Sequence, residues 1–403
     1  MCACVLLSPI GYCYSVLHKV SRSFSVVIQQ LDEELKDPVC IFYLVLRGLD
    51  SVEDDMTFDA KSKIPLLRCF YEKLDEPGWK IDNVGDTPDY RDLMADFDRV
   101  IVAYKALRPQ YQAVIQDITK RMGAGMAEFV EESQKTGKGS VVTIEKYNLY
   151  CHYVAGLVGI GLSQLFAASK LESQALAAEE RLANSMGLFL QKTNIIRDYL
   201  EDLQQERTWW PEEVWSQYAP TLSWFSQNPD SEKSRECLNH MVTDALSHVP
   251  DCINYLSLIT SPTVFEFCAI PQVMALATLA KVYNNLNVFK GVVKVRRGLS
   301  CEMMLNCSDM DMVKFYFNVF ASQFLEKTSV EDMKAGKIGK IAYDHVSNAI
   351  TLTNPSAARV RARSSSRTLA SVCVVVAAVA ATAFYWSAGA QGQSSQHSGV
   401  VGA

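Results

Sequence analysis

The sequence has 403 residues, 49% of them hydrophobic, and a net charge of −6 at pH 7. This composition is sufficient for a large buried core, and the negative charge argues against a general nucleic-acid-binding protein. The 12 cysteines are scattered and form no paired Cys-x-x-Cys array, which argues against a cysteine metal site and favours free thiols in a reducing compartment.

Helical periodicity extends through almost all of residues 12–360, and the alternation typical of strands is absent. No long linker rich in glycine, serine or proline interrupts residues 1–353, so we predict one large all-α domain there. The dipeptide Asp37-Pro38 predicts the start of the helix that carries the first functional motif.

That motif is an acidic cluster which follows an apolar run. Asp50, Glu53 and Asp54 are spaced i, i+3 and i+4, so they share one helix face, and Tyr43 and Arg47 lie earlier on the same face. Three neighbouring carboxylates repel one another, and their burial is costly unless cations compensate. A solvated acidic face is the alternative interpretation of this cluster taken alone.

Two later helices add to the pattern. Residues 144–166 predict a helix that holds Tyr150, and residues 179–203 predict a continuous helix that carries a second acidic cluster. The members of the second cluster, and the amides that precede them on the same face, are Gln191, Asn194, Asp198, Glu201 and Asp202. We therefore expect two opposed carboxylate walls across a helical bundle.

The C-terminal part has a different composition. Residues 369–386 carry no charge and are about long enough to cross a bilayer. We predict a basic tether over 354–368, a transmembrane anchor over 369–390 and a short polar tail over 391–403. The arginines of the tether place the preceding domain in the cytosol by the positive-inside rule. A buried core helix is the alternative.

Opposed carboxylates suit Mg²⁺, which keeps some waters and shares its coordination shell with substrate phosphates. Such metals can hold a diphosphate and promote its departure by electrostatic stabilisation. Candidate phosphate contacts are Arg22, Arg47, Arg197 and Arg207, although each could instead pair with a neighbouring acid.

Apolar residues between the helices would suit a long hydrocarbon tail and keep water from a carbocation. Phe24 and Phe267 are candidate lining residues, and ordinary core packing is the alternative for each. The hydroxyl of Tyr150 could act as a base or a dipole beside an allylic cation. His152 is interpreted as a core histidine with a hydrogen-bond partner.

Several long motifs resemble the squalene synthase family, the farnesyl-diphosphate farnesyltransferases among the head-to-head isoprenoid synthases. The resemblance covers about residues 12–298. The motifs that carry it include Val20-Ser-Arg-Ser-Phe24, Asp50-Ser-Val-Glu-Asp-Asp-Met56, Tyr150-Cys-His-Tyr-Val-Ala-Gly156, Gln191-Lys-Thr-Asn-Ile-Ile-Arg-Asp198 and Phe267-Cys-Ala-Ile-Pro-Gln272.

The resemblance implies a class I isoprenoid synthase helical bundle with a central cavity. It also implies two successive reactions, in which two farnesyl diphosphates condense to presqualene diphosphate and this intermediate is reduced by NADPH to squalene. The implied setting is a tail-anchored, monomeric enzyme of sterol or triterpene biosynthesis at the endoplasmic reticulum membrane, with a cytosolic catalytic domain.

Site roles follow from the same resemblance. Tyr150 would assist ionisation and deprotonation, and Phe267 would line the pocket of the second step. The implied Mg²⁺ ligands are Asp50, Glu53, Asp54, Asp198, Glu201 and Asp202. The implied substrate contacts are Ser21, Arg22, Phe24, Tyr43, Arg47, Gln191, Asn194, Arg197 and Arg207, and the NADPH contacts are Arg22, Arg47, Arg197, Lys294 and Arg296.

The sequence also departs from the family. Family members have a further N-terminal helix before the Ser21 motif, and Pro88 stands where the family has a lysine, which weakens one expected cofactor contact. No Rossmann glycine motif supports NADPH independently. The alternatives are a synthase that stops at presqualene diphosphate or forms another triterpene, a phytoene synthase, and a non-catalytic membrane-tethered isoform.

Overall fold

A computed structural model describes residues 8–136 and 141–328, and every regular element within these ranges is helical, which confirms the all-α prediction. The predicted tether, membrane anchor and polar tail lie outside them. The α-helices, in chain order, are α1 (Pro9–Val20), α2 (Arg22–Gln29), α3 (Glu33–Asp54), α4 (Ala60–Lys73), α5 (Pro88–Ala95), α6 (Phe97–Ala106), α7 (Pro109–Thr136), α8 (Ile144–Cys151), α9 (Leu157–Ala168), α10 (Gln174–Ala178), α11 (Glu180–Arg197), α12 (Tyr199–Gln204), α13 (Glu212–Trp215), α14 (Trp224–Gln227), α15 (Glu232–Leu246), α16 (Val249–Leu258), α17 (Pro262–Val282), α18 (Arg297–Asn306) and α19 (Met310–Lys327).

Helix α3, which carries the first acidic motif, begins earlier than the sequence predicts. Asp32 caps it, because its carboxylate accepts a hydrogen bond from the backbone N–H of Glu34 at 3.0 Å. Two glutamates in the first turn suit the positive end of the helix dipole. The predicted start at Pro38 is wrong, because this proline lies buried inside the helix, where its ring packs in the core.

Residues 144–168 form α8, a π-helical turn (His152–Gly156) and α9, rather than one α-helix. The π turn lies directly against α11. A Cβ atom added to Gly156 would lie 1.9 Å from Asn184 Oδ1, and one added to Gly187 would lie 2.2 Å from the Ala155 carbonyl oxygen. The glycines are therefore required by close helix approach, which offsets their low helix propensity.

The second acidic motif spans a break that the sequence does not predict. Helix α11 ends at Arg197 and α12 begins at Tyr199, with Asp198 between them at φ −94° and ψ 14°. The break is slight, because the N–H of Asp202 still donates to the carbonyl of Asp198 at 2.9 Å. Asp198 and Asp202 thus remain one helical turn apart.

One hydrophobic core runs through the bundle, and α11 lies at its centre, in contact with the π turn, α9, α16 and α17. Two stretches of the described chain are long and apolar enough to cross a membrane, Ile144–Ala168 and Pro262–Val282. About half of the first and 72% of the second are buried among other helices. Both therefore serve as core helices of this bundle.

Candidate active site

The two acidic clusters meet at Arg207. Its guanidinium lies 3.0 Å from Asp202 Oδ1 and 3.5 Å from Asp54 Oδ1, so one cation joins carboxylates that are distant in sequence. The backbone N–H of Arg207 also donates to the carbonyl of Asp202 at 2.9 Å, which fixes the segment after α12. The ends of α3 and α12 therefore face each other across a short gap.

Burial makes these carboxylates reluctant to ionise. It raises the pKa of Asp50 to about 7 and that of Asp202 to about 6, although neighbouring arginines oppose the shift. Burial and the charges of the other two acids also raise the pKa of Glu53 well above its usual value. The carboxylates of the cluster therefore repel one another when they ionise, and a bound cation would offset this repulsion.

The remaining members of the second cluster are arranged differently. Arg197 donates two hydrogen bonds to the carboxylate of Asp198, at 2.7 and 2.5 Å. This is the neighbouring ion pair that the sequence left open for each arginine. Glu201 is exposed, and its charge helps to raise the pKa of Arg197.

An apolar cavity of about 260 Å³ begins at the first cluster. Asp50 and Arg47 stand at its polar end, with an ion-pair distance of 3.4 Å between them. Arg47 also lies over the rings of Tyr43 and Tyr90, and its Nε is buried without a hydrogen-bond partner. Other predicted site residues that line this cavity are Phe24, Gln191, Asn194 and Phe267. The structure therefore brings most of the predicted substrate contacts to one cavity.

Tyr150 lies in a buried aromatic cluster beside the first acidic cluster. Its ring stacks on Trp209 with centroids 4.0 Å apart and meets Phe129 edge-on at 5.3 Å. Burial, and then the charges of Glu53 and Asp54, raise its pKa well above the usual value. The hydroxyl therefore retains its proton at neutral pH and presents an O–H dipole. Trp209 was assigned no role in the sequence, because a tryptophan after a helix break has no distinguishing pattern.

Lys63 is a second residue that carries no sequence signal. It is only 5% exposed, and its Nζ donates to the carbonyl of Glu53 at 2.7 Å, at the end of α3. That end has acids but no basic residue of its own, an unfavourable combination with the negative end of the helix dipole. Lys63 supplies the missing cation from α4.

Asp55, the next acid after the first cluster, has a structural role. Its carboxylate accepts from the N–H and hydroxyl of Thr57, at 2.9 and 2.6 Å, and from the N–H of Gly85 at 2.9 Å. Gly85 has φ +129°, a conformation that favours glycine. Asp55 thus holds the loop before α5 against the site, and Asp86 of that loop adds negative charge near Asp54.

The structure does not bring every predicted residue to the site. The oxygen of Ser21 caps α2 by accepting from the N–H of Phe24 at 3.3 Å. Lys294 and Arg296 are exposed on the segment before α18 and line neither the apolar cavity nor the acidic gap in the described residues. The side chain of Arg22 lies outside the described part of the chain.

The donor set fits Mg²⁺ only together with phosphate. Among the described residues, no group of three or more His, Cys, Asp or Glu side chains converges closely enough to hold a metal. Mg²⁺ usually takes one or two carboxylates, several waters and substrate phosphates, so two separated carboxylate walls suit it when a diphosphate lies between them.

Comparisons with known proteins agree with this geometry. Residues 17–298 match the squalene/phytoene synthase family model. The chain is 49% identical to squalene synthase BSS of Botryococcus braunii over 327 residues, which is 80% of this chain and 69% of that protein. It is 46% identical to the squalene synthase of Homo sapiens over 336 residues, 83% of this chain and 78% of that protein.

Solved structures give the same result. The structure of TcSQS in complex with the ligand BPH1237 has a TM-score of 0.79 and 42% identity, covering 86% of this chain and 99% of that one. A dehydrosqualene synthase matches with a TM-score of 0.51 at 20% identity, which supports the fold alone. With its all-helical bundle and two opposed acidic clusters, the chain belongs to the squalene/phytoene synthase family.

Proposed function

We propose that this protein condenses two farnesyl diphosphates head-to-head to presqualene diphosphate and reduces that intermediate with NADPH to squalene, with Mg²⁺ as the metal. The observation that carries the proposal is the junction at Arg207, where carboxylates from two helices face each other beside an apolar cavity. Relatives at 46–49% identity are named squalene synthases, which supports this substrate and product.

In the first step, the acidic clusters would orient the diphosphate groups while the apolar cavity holds the hydrocarbon. Bound Mg²⁺ would neutralise the diphosphate charge and favour its departure. Arg207 would donate to the diphosphate oxygens as they take up the electron pair of the breaking C–O bond, since its guanidinium already lies between both clusters. The neutral phenol of Tyr150 and its flanking aromatic rings would face the developing cation.

In the second step, NADPH would supply the hydride. Arg47 is the cofactor candidate with the clearest structural support, because its buried Nε has no protein partner and its head stands at the mouth of the cavity. Phe267, which packs edge-on against Phe166 at 6.1 Å, would help to exclude water from the cation. The NADPH roles of Lys294 and Arg296 stay predictions.

The same proposal includes attachment to the endoplasmic reticulum membrane through residues 369–390, with the catalytic domain in the cytosol. Its support is the uncharged run of residues 369–386 and the arginines before it. We propose that the enzyme acts as a monomer in sterol or triterpene biosynthesis. A fluorescent fusion that ends before residue 369 should become soluble, and continued membrane residence would contradict the anchor.

The test is product identification. The detergent-solubilised full chain is incubated with farnesyl diphosphate and Mg²⁺, with and without NADPH, and the products are separated by mass spectrometry. We expect squalene with NADPH and presqualene diphosphate without it. Presqualene diphosphate as the end product under both conditions would refute the reductive step, and unconsumed farnesyl diphosphate would refute the whole proposal.

A further inference from the structure

A second cavity, of about 660 Å³, borders the first acidic cluster. It shares no lining residue with the apolar cavity, since Asp50 lines that one while Glu53 and Asp54 line the larger. We call the larger cavity the polar chamber. The first cluster thus stands between two spaces, and the larger one has charged side chains as well as apolar ones in its wall.

The polar chamber contains a buried cation. Lys63 lines it at 5% exposure and uses one ammonium hydrogen for the carbonyl of Glu53. An ammonium group can donate three hydrogen bonds, and this is one of them. Arg207 lines the same chamber, and hydroxyl groups from Ser133 and Thr208 add neutral polar contacts. These are donors suited to phosphate oxygens.

The charges that line the chamber restrict the kinds of ligand that it can bind. Its lining holds four acids and the two cations Lys63 and Arg207, so a free diphosphate anion would meet net repulsion. A magnesium diphosphate complex carries less negative charge, and its metal can bind the carboxylates while its phosphate oxygens accept from the cations. Glu53 and Asp54 belong both to the gap between the acidic clusters and to the chamber wall. The complex could therefore move from the gap into the chamber while its metal stays bound to these carboxylates.

We propose that the polar chamber receives the magnesium diphosphate released at the acidic clusters, and that Lys63 binds it there. The inference rests on the proposed function, since a reaction that releases diphosphate must supply this ligand. Trp209 lines the chamber and stacks on Tyr150, so an occupant of the chamber would also contact the aromatic wall of the reactive site.

The first test measures binding of inorganic diphosphate with Mg²⁺ to the full chain by calorimetry. Lys63→Met should weaken binding about tenfold or more, because a charged hydrogen bond is lost. Lys63→Arg should restore part of the affinity. Lys61→Met is the matched control, since this lysine is exposed two residues away on α4 and outside the chamber lining. Undiminished binding by Lys63→Met would overturn the proposal.

The second test does not depend on Lys63, whose replacement could disturb the end of α3. Ser133→Phe adds a ring to the chamber lining at a residue other than Lys63 and narrows the chamber. We expect steady-state turnover to fall about tenfold while the rate of presqualene diphosphate formation in a single turnover stays within about twofold, since release becomes limiting. Equal slowing of both rates, or of neither, would overturn the release role.

A third measurement determines whether the chamber binds the diphosphate released by the reaction or the diphosphate group of NADPH. NADPH also carries one, so it is titrated against bound inorganic diphosphate in the wild-type chain. Failure of NADPH to displace it supports the release site, and competition that weakens with Lys63→Met would overturn it. If the wild-type chain consumes farnesyl diphosphate while Lys63→Met and Ser133→Phe behave normally, this inference fails and the proposed function stands.

Discussion

Asp50 is the residue at which the cavity, the ion pair and the acidic cluster meet. It lines the apolar cavity, pairs with Arg47 at 3.4 Å, and has a pKa raised to about 7 by burial. A carboxylate held in this way destabilises the fold when it ionises without a metal. Such a cost is typical of functional sites, which trade stability for chemistry.

We therefore expect Asp50→Asn to have opposite effects on activity and stability. Turnover should fall about a hundredfold or more, the usual effect of removing a group that stabilises charge in the transition state. At about pH 8 without Mg²⁺, the free energy of unfolding should rise by about 1–2 kcal/mol, because a carboxylate with a raised pKa no longer ionises. Activity assays and thermal melts check both.

The control is Asp117→Asn, an exposed acid on α7 whose ion pair in the described part of the chain is with Arg121. It should change turnover little and stability by only a few tenths of a kcal/mol, as for other exposed helix pairs. Lower stability of Asp50→Asn at high pH, together with normal turnover, would contradict the assignment of this carboxylate to a metal-diphosphate site.

At the scale of elements, the junction between the π turn and α11 sets the position of the second acidic cluster. Gly156 in the π turn, Gly159 at the start of α9 and Gly187 in α11 lie so close to the facing element that a methyl group on any of them would overlap its neighbour. The hydrogen bond from His152 Nδ1 to Asn184 Oδ1, at 2.7 Å, joins the same two elements. Tyr150, one turn before, depends on this register.

Gly187→Ala tests the junction. Its Cβ would lie 2.2 Å from the carbonyl oxygen of Ala155, an atom of backbone that cannot rotate away. We expect a loss of about 1–3 kcal/mol in unfolding free energy, as for other overpacked cores. Gly298→Ala is the control, because nothing lies near its Cβ in the first turn of α18, and it should be neutral or slightly stabilising. Equal melting temperatures for the two variants would contradict the close approach.

Much of the helical arrangement follows from the sequence, and the predictions that were wrong have physical causes. The spacing of Asp50, Glu53 and Asp54 predicts a shared face because helix geometry is fixed locally. The break at Asp198 and the π turn have no such signal; the π turn packs against α11, a contact that residue spacing does not reveal. Pro38 was misleading because a proline can be tolerated inside a helix when the core around it compensates.

The residues of the candidate site were likewise predictable from the sequence only in part. Its acids and arginines have charge patterns that the sequence displays, whereas Lys63 and Trp209 act only through neighbours that tertiary structure supplies. The partner of Arg197 was also undecidable from the sequence, because a phosphate and the adjacent Asp198 are equally suitable. Resemblance to the family gave the substrate, which no spacing of carboxylates could specify.

At the scale of the whole molecule, the buried acids should couple folding to pH and, on the proposed function, to Mg²⁺. Asp50 and Asp202 have folded-state pKa values of about 7 and about 6, above the usual value of 3.8 for an aspartate. At pH values between 3.8 and about 7, these two groups therefore bind more protons in the native state than in the unfolded state. Without metal, the contribution of these two groups to the free energy of unfolding should decline as pH rises from about 4 to about 7, against an opposite contribution from His248, whose pKa burial lowers to about 4.

Mg²⁺ should reverse this trend, because it binds ionised carboxylates and its binding releases protons. With Mg²⁺ and inorganic diphosphate present, we expect the melting temperature to rise by several degrees at about pH 8 and by much less at about pH 5.5. Thermal melts of the full chain at both pH values, with and without both ligands, measure this. A larger gain at the lower pH would contradict the raised pKa values.

The central claim is that two acidic clusters joined by Arg207 bind diphosphate through Mg²⁺. Calorimetric titration with farnesyl thiodiphosphate, an analogue that ionises very slowly, tests it most directly, using the wild-type chain and Asp202→Asn with and without Mg²⁺. We predict two molecules bound per wild-type chain only when Mg²⁺ is present, and greatly weakened binding by Asp202→Asn. Binding of equal strength without Mg²⁺, or binding that Asp202→Asn does not weaken, would contradict Mg²⁺-mediated diphosphate binding at these clusters.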